Sequence, residues 1–266
     1  MELLYKFAPE TGVDYLLFGR TIRFSPAKGL NDVFEGLFDR RVDAERTLNN
    51  ALGRFREENP STANWGNEEL LLSDHFCTNR LLFAAGMVSA TREMLSEFGL
   101  TCFTTDPSHP LMWSHYADKG KGVAVGLDRE VLLKGFAPYH YGFVSYDVRR
   151  PLLRDHAELQ AMKLKTLMRK SAHWHYEREF RMIRELQTPG KYDDVSFEGS
   201  AIRQVIIGPF TPLDKIRKIL LWHRVNPATQ LGWALPNVQH DYLDLHKVTC
   251  SEQDLLQCAA LRDEYI

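Results

Sequence analysis

With 266 residues, 44% of them hydrophobic, 26% charged and 11% aromatic, the chain has the composition of a folded protein able to bury its own core, and disordered and fibrous classes are excluded. Its 33 Lys and Arg stand against 35 Asp and Glu, a formal net charge of -2. The whole-chain positive field of a dedicated nucleic-acid or anionic-membrane binder is therefore missing, although a local basic patch is compatible with it. No run approaches the roughly 20 apolar residues of a membrane span, and Met1-Glu2 leads into a strand-like run instead of a signal-type n-region. Cys77, Cys102, Cys250 and Cys258 form no C-x-x-C pair. A cytoplasmic protein with reduced, mostly buried thiols is expected.

In chain order, Leu3 to Phe7 reads as a short strand, Asp14 to Phe18 as one or two helical turns, and Thr21 to Ser25 alternates as a half-buried strand does. Helices are predicted from Asp43 to about Glu57 and from Asn67 to Phe98, the latter stopped by Gly99. Together they form a helical insertion over 43–98, interrupted near Asn59-Pro60. Short β-rich runs then follow: Leu100 to Thr104, Gly122 to Leu127, Tyr139 to Tyr146, Glu177 to Ile183, Ile202 to Ile207 and Gln239 to Leu245. Helical pieces separate them at Pro110 to Ala117, Arg154 to about Ser171 and Leu213 to His223, the last introduced by Thr211 and Pro212. The pattern predicts a single α+β domain over 1–266 with a bent, mixed or mostly antiparallel sheet, flanking helices and the helical insertion.

Three clusters set polar groups among aromatic ones: Tyr5-Lys6-Phe7, Trp113-Ser114-His115-Tyr116, and Trp174 to Arg181. In the third, strand periodicity puts Glu177, Glu179 and Arg181 on one face. Carboxylates beside an Arg stay ionised, which suits stabilising a cationic centre; a salt-bridged outer sheet face is the plainer alternative. The loop Ser25 to Glu35 would bring Asn31, Asp32 or Glu35 to a pocket edge, or serve as loop architecture alone. His173, His175 and Glu177 alternate and would point the same way along an extended segment, as metal ligands do, with His109 and His115 as further donors. Yet H-E-x-x-H, paired cysteines and an acidic calcium loop are all missing, and no metal site is assigned. Walker, G-x-G-x-x-G and G-x-S-x-G patterns are missing too. Gly120-Lys121-Gly122 reads as the turn feeding Val123 to Leu127.

Taken in order, several pieces resemble a bacterial and phage family known only as a domain of unknown function. They are Leu4-Tyr5-Lys6-Phe7, Ile22-Arg23-Phe24-Ser25 with Asn31-Asp32-Val33-Phe34-Glu35, Leu111 to Ala117 running into Lys121 to Gly126, Lys170-Ser171 with Trp174 and Tyr176 to Arg181, and Val205 to Pro209. Val33 stands where the family usually has Pro. The opening strand, helix, Gly and strand is also similar to the ADP-ribosyltransferase fold, especially its DNA-modifying and RNA phosphotransferase branches. That similarity implies NAD as cofactor and Lys6, Tyr116 and Glu179 as catalytic candidates, with Tyr5, Lys6, Trp113 and Tyr116 around the cofactor. Substrate contacts would then fall to Asn31, Asp32, Glu35, Trp174, Glu177 and Arg181. Lys6 departs from the His or Arg that the similarity implies in the first strand, and Tyr116 falls on a helix instead of a strand.

An NAD-dependent ADP-ribosyl transferase is thus the leading expectation, its acceptor open. A second class of reading is a recognition or effector module of phage-defence type, built on Trp113, Tyr116, Trp174 and Arg181. A third is a metal-dependent nuclease or phosphoesterase using Asp32, Glu35, Glu177 and Glu179.

Overall fold

The structure is a computed structural model, and it describes residues 2–30, 49, 52–53, 56–57, 59–67, 93, 95–149, 159–237, 239–248 and 251–265. The helix expected from Asp43 to Glu57, most of that from Asn67 to Phe98, and the loop residues Asn31, Asp32 and Glu35 lie outside these residues. No helix among the described residues is long and apolar enough to cross a membrane.

The architecture is α+β, a mostly antiparallel open sheet with flanking helices. Its strands are β1 (Leu3–Ala8), β2 (Thr21–Pro26), β3 (Phe98–Thr104), β4 (Val123–Asp128), β5 (His140–Phe143), β8 (Glu179–Glu185), β9 (Asp193–Ser196), β10 (Ile202–Ile207), β11 (Gln230–Pro236) and β12 (Leu243–Lys247), while β6 (Ser145–Tyr146) and β7 (Arg169–Lys170) form a separate short parallel pair. The main path runs β12-β11-β10-β4-β1-β3-β2-β9, and β8 and β5 extend from β3. Among the described residues, only β10 and β11 run parallel within it.

The centre is set by β4, buried at all six positions, which pairs with β1 from Leu3↔Asp128 to Ala8↔Val123. Alternation sorts the side chains. Leu4, Ala8, Val123, Val125, Val205 and Ile207 face Ile216, Ile219 and Trp222 of α4 (Leu213–Val225) in one core layer. Phe7, Ala124 and Ile206 face Met112 and Trp113 of α1 (Pro110–Tyr116) in the other. Asp128 caps α2 (Arg129–Phe136) by accepting from the Glu130 and Val131 amides, while α3 (Leu159–Leu167) and α5 (Glu252–Tyr265) complete the helices.

The feature that positions the site is a fork in the sheet. On one edge β3 pairs with β8 along its whole length, Phe98↔Glu185 to Thr104↔Glu179. Its other edge is shared by two strands that diverge: Tyr5 of β1 pairs with Thr104, while Ser25 and Pro26 of β2 pair with Leu100 and Gly99. Between these contacts, Thr101 to Phe103 face an opening.

Several expectations need correcting. Gly99 is no helix stop but lies inside β3, where an added Cβ would come within 2.3 Å of Leu186 Cδ2; the missing side chain lets Leu186 close over the strand. The predicted Tyr139 to Tyr146 strand breaks at Val144, whose amide bonds Glu179 O, so that Ser145 and Tyr146 can join β7. Thr211 does not cap α4, because its hydroxyl is drawn to Gly122 O at 2.8 Å and Gly208 O at 3.1 Å. The last strand starts later than predicted, at Leu243, since Asn237 accepts the Gln239 and His240 amides and turns the chain. Cys258 is exposed, contrary to a buried thiol, and Cys102 is half-buried.

Candidate functional site

The fork encloses a cavity of about 220 Å³. Lys6 and Phe7 come to it from β1, Arg23 and Ser25 from β2, Cys102 and Thr104 from β3, Tyr116 from α1, Lys170 from β7, and Glu177, Glu179 and Arg181 from β8 and the turn before it. Tyr5, Lys6, Tyr116, Glu177, Glu179 and Arg181 are therefore brought together from three distant stretches of sequence.

Lys6 reaches across the fork to β3. Alternation turns it toward the layer of Leu4 and Ala8, yet its ammonium reaches the gap and donates to Thr101 Oγ1 and Cys102 O, both at 3.0 Å. Burial lowers its pKa, partly offset by the field of the Cys102 thiol and the Glu179 carboxylate. Tyr5, on the other side of β1, donates its hydroxyl to Gln204 at 2.8 Å.

The charged wall lies on β8 and β7. Arg181, fully buried, grips Glu179 with Nε to Oε1 at 2.6 Å and Nη2 to Oε2 at 2.8 Å, and a third donor reaches Leu167 O. Lys170 sits between the two carboxylates, 2.6 Å from Glu177 and 3.4 Å from Glu179. Tyr116 donates to Glu177 Oε1 at 2.7 Å. The Glu179 amide donates to the Tyr146 hydroxyl at 2.8 Å.

These surroundings push the two carboxyls in opposite directions. Burial opposes ionisation of Glu179, but the charge and hydrogen bonds of Arg181, then Lys170, outweigh it and hold the pKa at about 2. For Glu177 burial prevails over Lys170 and Tyr116, and the pKa rises. Burial, with the carboxylates nearby, also raises Tyr116 well above the ordinary phenol and pushes the Cys102 thiol up to about 12. Cys102 is thereby an unreactive thiol.

Sequence periodicity placed Glu177 on the strand with Glu179 and Arg181. It sits instead at the end of a 3-10 turn (Ala172–Glu177), before Arg178 in the left-handed conformation at φ 43°. The same turn overturns the alternating row of His173, His175 and Glu177: both histidines are exposed while Glu177 is buried. No group of three or more His, Cys, Asp or Glu among the described residues is arranged to hold a metal. Trp113 does not line the cavity. Its ring packs edge-on against Phe7 at 5.0 Å and its indole N–H donates to Pro107 O at 2.7 Å, making it a core residue beneath Tyr116. Trp174 stands outside as well, 4.8 Å from the Lys170 ammonium. Asn31, Asp32 and Glu35 lie outside the described residues. Lys170 was missed as a site residue: it falls where helical patterning ends, and nothing local marks it as the cation between two later carboxylates. Tyr146 left no signal either.

Fold and site thus define an α+β protein with a buried charged cleft where its sheet forks. Residues 112–182, which carry most of α1, Lys170, both carboxylates and Arg181, match a family described as "Protein of unknown function (DUF2971)", in keeping with the resemblance to a family of unknown function. No curated protein and no solved structure matches the chain.

Proposed function

We propose that this protein is an NAD-dependent ADP-ribosyl transferase that works through the paired carboxylates of the forked cleft. The observation that carries the reading is the opposite tuning of Glu177 and Glu179 within one cavity, since two titratable groups driven apart divide acid-base from electrostatic work. A cavity of about 220 Å³ lies below the usual range for a drug-sized ligand, roughly 300–1,000 Å³, so it would take the nicotinamide-ribose end of the cofactor and not the whole dinucleotide.

When bound, NAD would supply a ribose C1 that becomes cationic as nicotinamide leaves with the electron pair of their bond. Glu179, held well below the ordinary carboxylate range and gripped by Arg181, would stabilise that positive charge. Glu177 would accept the proton of the acceptor hydroxyl whose oxygen takes nicotinamide's place on C1, with Tyr116 and Lys170 orienting its carboxylate. The rings of Tyr5, Phe7 and Tyr116 supply an apolar wall for nicotinamide. Lys6, anchored to neutral oxygens, supplies positive charge at the fork for an anionic cofactor.

The other two readings fit the geometry less well. A recognition module would rest on Trp113, Tyr116, Trp174 and Arg181, of which Tyr116 and Arg181 line the cavity and the two tryptophans stand outside it. A nuclease would share a divalent ion among Asp32, Glu35, Glu177 and Glu179; Lys170 sits between the last two, and Asp32 and Glu35 lie outside the described residues.

The test is nicotinamide release from NAD by wild type, Glu179→Gln and Glu177→Gln, with thermal shifts on the same samples. Turnover falling about 10²–10³-fold in Glu179→Gln and about 10²–10⁴-fold in Glu177→Gln is expected. Folded wild-type protein that neither binds nor consumes NAD would overturn the reading.

A further inference from the structure

A second cavity, of about 440 Å³, lies behind the charged wall of the first. The short ladder of β6 and β7 is the partition. Of two successive residues in β7, Lys170 lines the first cavity and Arg169 the second; in β6, Ser145 lines the second while the Tyr146 hydroxyl receives the Glu179 amide. The second cavity falls within the size range of small-ligand sites, roughly 300–1,000 Å³.

Its lining is strongly biased in charge. Arg149, Lys165 and Arg169 face it against the single carboxylate of Asp147. That carboxylate accepts the Arg149 amide at 2.9 Å, Arg169 is buried and donates to Asp147 O, and no ion pair engages Arg149 or Lys165 among the described residues. Three cations against one carboxylate around a concavity favour an anion there, in a chain whose net charge is -2. Beside them Tyr141 and Phe143, on β5, are 48% and 55% exposed although each lies against Phe180, which leaves ring faces open at the cavity's margin. Paired cations and open aromatic faces match a ligand that joins a phosphate to a planar ring.

We propose that this cavity binds a phosphorylated nucleoside, its phosphate held by Arg149, Lys165 and Arg169 and its base laid against Tyr141 or Phe143. The site is separate from the charged cleft, from which the β6–β7 ladder divides it, and does not depend on the transferase reading. Free nucleotide and a unit of a single-stranded nucleic acid share this chemistry.

Calorimetric titration of the full chain distinguishes the sources. The probes are adenosine 5′-monophosphate, adenosine, inorganic phosphate and a 5′-phosphorylated single-stranded decamer, titrated into wild type, Arg149→Glu/Lys165→Glu and Tyr141→Ala. These are surface positions, and circular dichroism should confirm unchanged folds. The charge reversals should weaken nucleotide binding at least tenfold, Tyr141→Ala several-fold, and added salt should weaken wild-type binding. Binding of the decamer but not of the free nucleotide, lost in the same variants, would support the proposal with nucleic acid as the source. Equal affinities across variants, phosphate binding as tightly as the nucleotide, or no binding by any probe would overturn it. Nucleotide binding with no NAD turnover leaves this site standing and removes the transferase reading; turnover without nucleotide binding does the reverse.

Discussion

Replacing Arg181 by Met tests whether the charged wall is one electrostatic unit. In wild type the guanidinium makes two hydrogen bonds to Glu179, at 2.6 and 2.8 Å, with every partner buried. A carboxyl held at about 2 against an ordinary 4.5 corresponds to about 3 kcal/mol of favourable interaction with the folded surroundings. Removing one partner of a buried pair costs about 3–5 kcal/mol by a separate line of reasoning, because the remaining charge is stranded. The two agree, so Arg181→Met should lose about 3–4 kcal/mol in urea unfolding at pH 7, or roughly 10 °C in melting temperature for a chain of this size. Because the Glu179 pKa is depressed, its contribution is present above pH 4.5 and is lost as the pH falls through about 2; the gap between wild type and variant should narrow at acid pH. The double variant Arg181→Met/Glu179→Leu replaces the pair by apolar groups and should recover most of the loss. A single-variant loss below about 1 kcal/mol, or a double variant no more stable than the single, would refute the reasoning.

Glu177 carries the opposite sign. Its raised pKa means a stabilising contribution present below pH 4.5 and lost as the pH rises through the folded-state value, so the stability of wild type relative to Glu177→Gln should decline over that window; parallel pH-stability curves would reject the tuning. Gly122→Ala would set a Cβ 1.9 Å from the Ala8 carbonyl oxygen, a backbone atom that cannot swing away, and should cost more than the roughly 1–3 kcal/mol of ordinary overpacking; soluble protein with wild-type melting would contradict the close approach. Gly135→Ala, in α2 with nothing within 4 Å, should instead stabilise by up to about 1 kcal/mol in the same melt. Trp113→Ala should cost about 3–5 kcal/mol in urea unfolding, the signature of a core ring and not of an exposed recognition anchor.

The sheet was legible where its strands obey a period. Leu3 to Phe7, Thr21 to Ser25, Leu100 to Thr104 and Ile202 to Ile207 each sit within a residue or two of the observed strand, because their burial follows the pleat or a continuous apolar run. What failed was local chemistry overruled from a distance. Gly99 carries a helix-stop signal, yet the need to admit Leu186 decides its role. The Gln230–Pro236 strand was missed although all of Leu231 to Ala234 is buried, since it enters the sheet parallel to β10 only after a helix has returned the chain. For α2 the signal was present and unread: Asp128 as cap, then Leu132 and Phe136 four residues apart.

The site divides along the same line. Tyr5, Lys6, Tyr116, Glu177, Glu179 and Arg181 were all named from sequence, because polar groups among aromatic ones are unusual enough to notice. Their convergence was not readable, since it depends on β1 and β2 claiming opposite ends of one edge of β3, a non-local fact of pairing. The fork also explains why so many charges are tolerated inside. A buried ionic group rarely stabilises a fold better than apolar residues of equal volume would. Here Lys170, Arg181, Glu177 and Glu179 line a cavity that apolar packing would fill, and each carboxylate is held by at least two donors. Strand pairing alone would be served by closing the fork; keeping it open, with its charges oriented and one carboxyl driven toward protonation, is the arrangement the proposed transferase requires and a core does not.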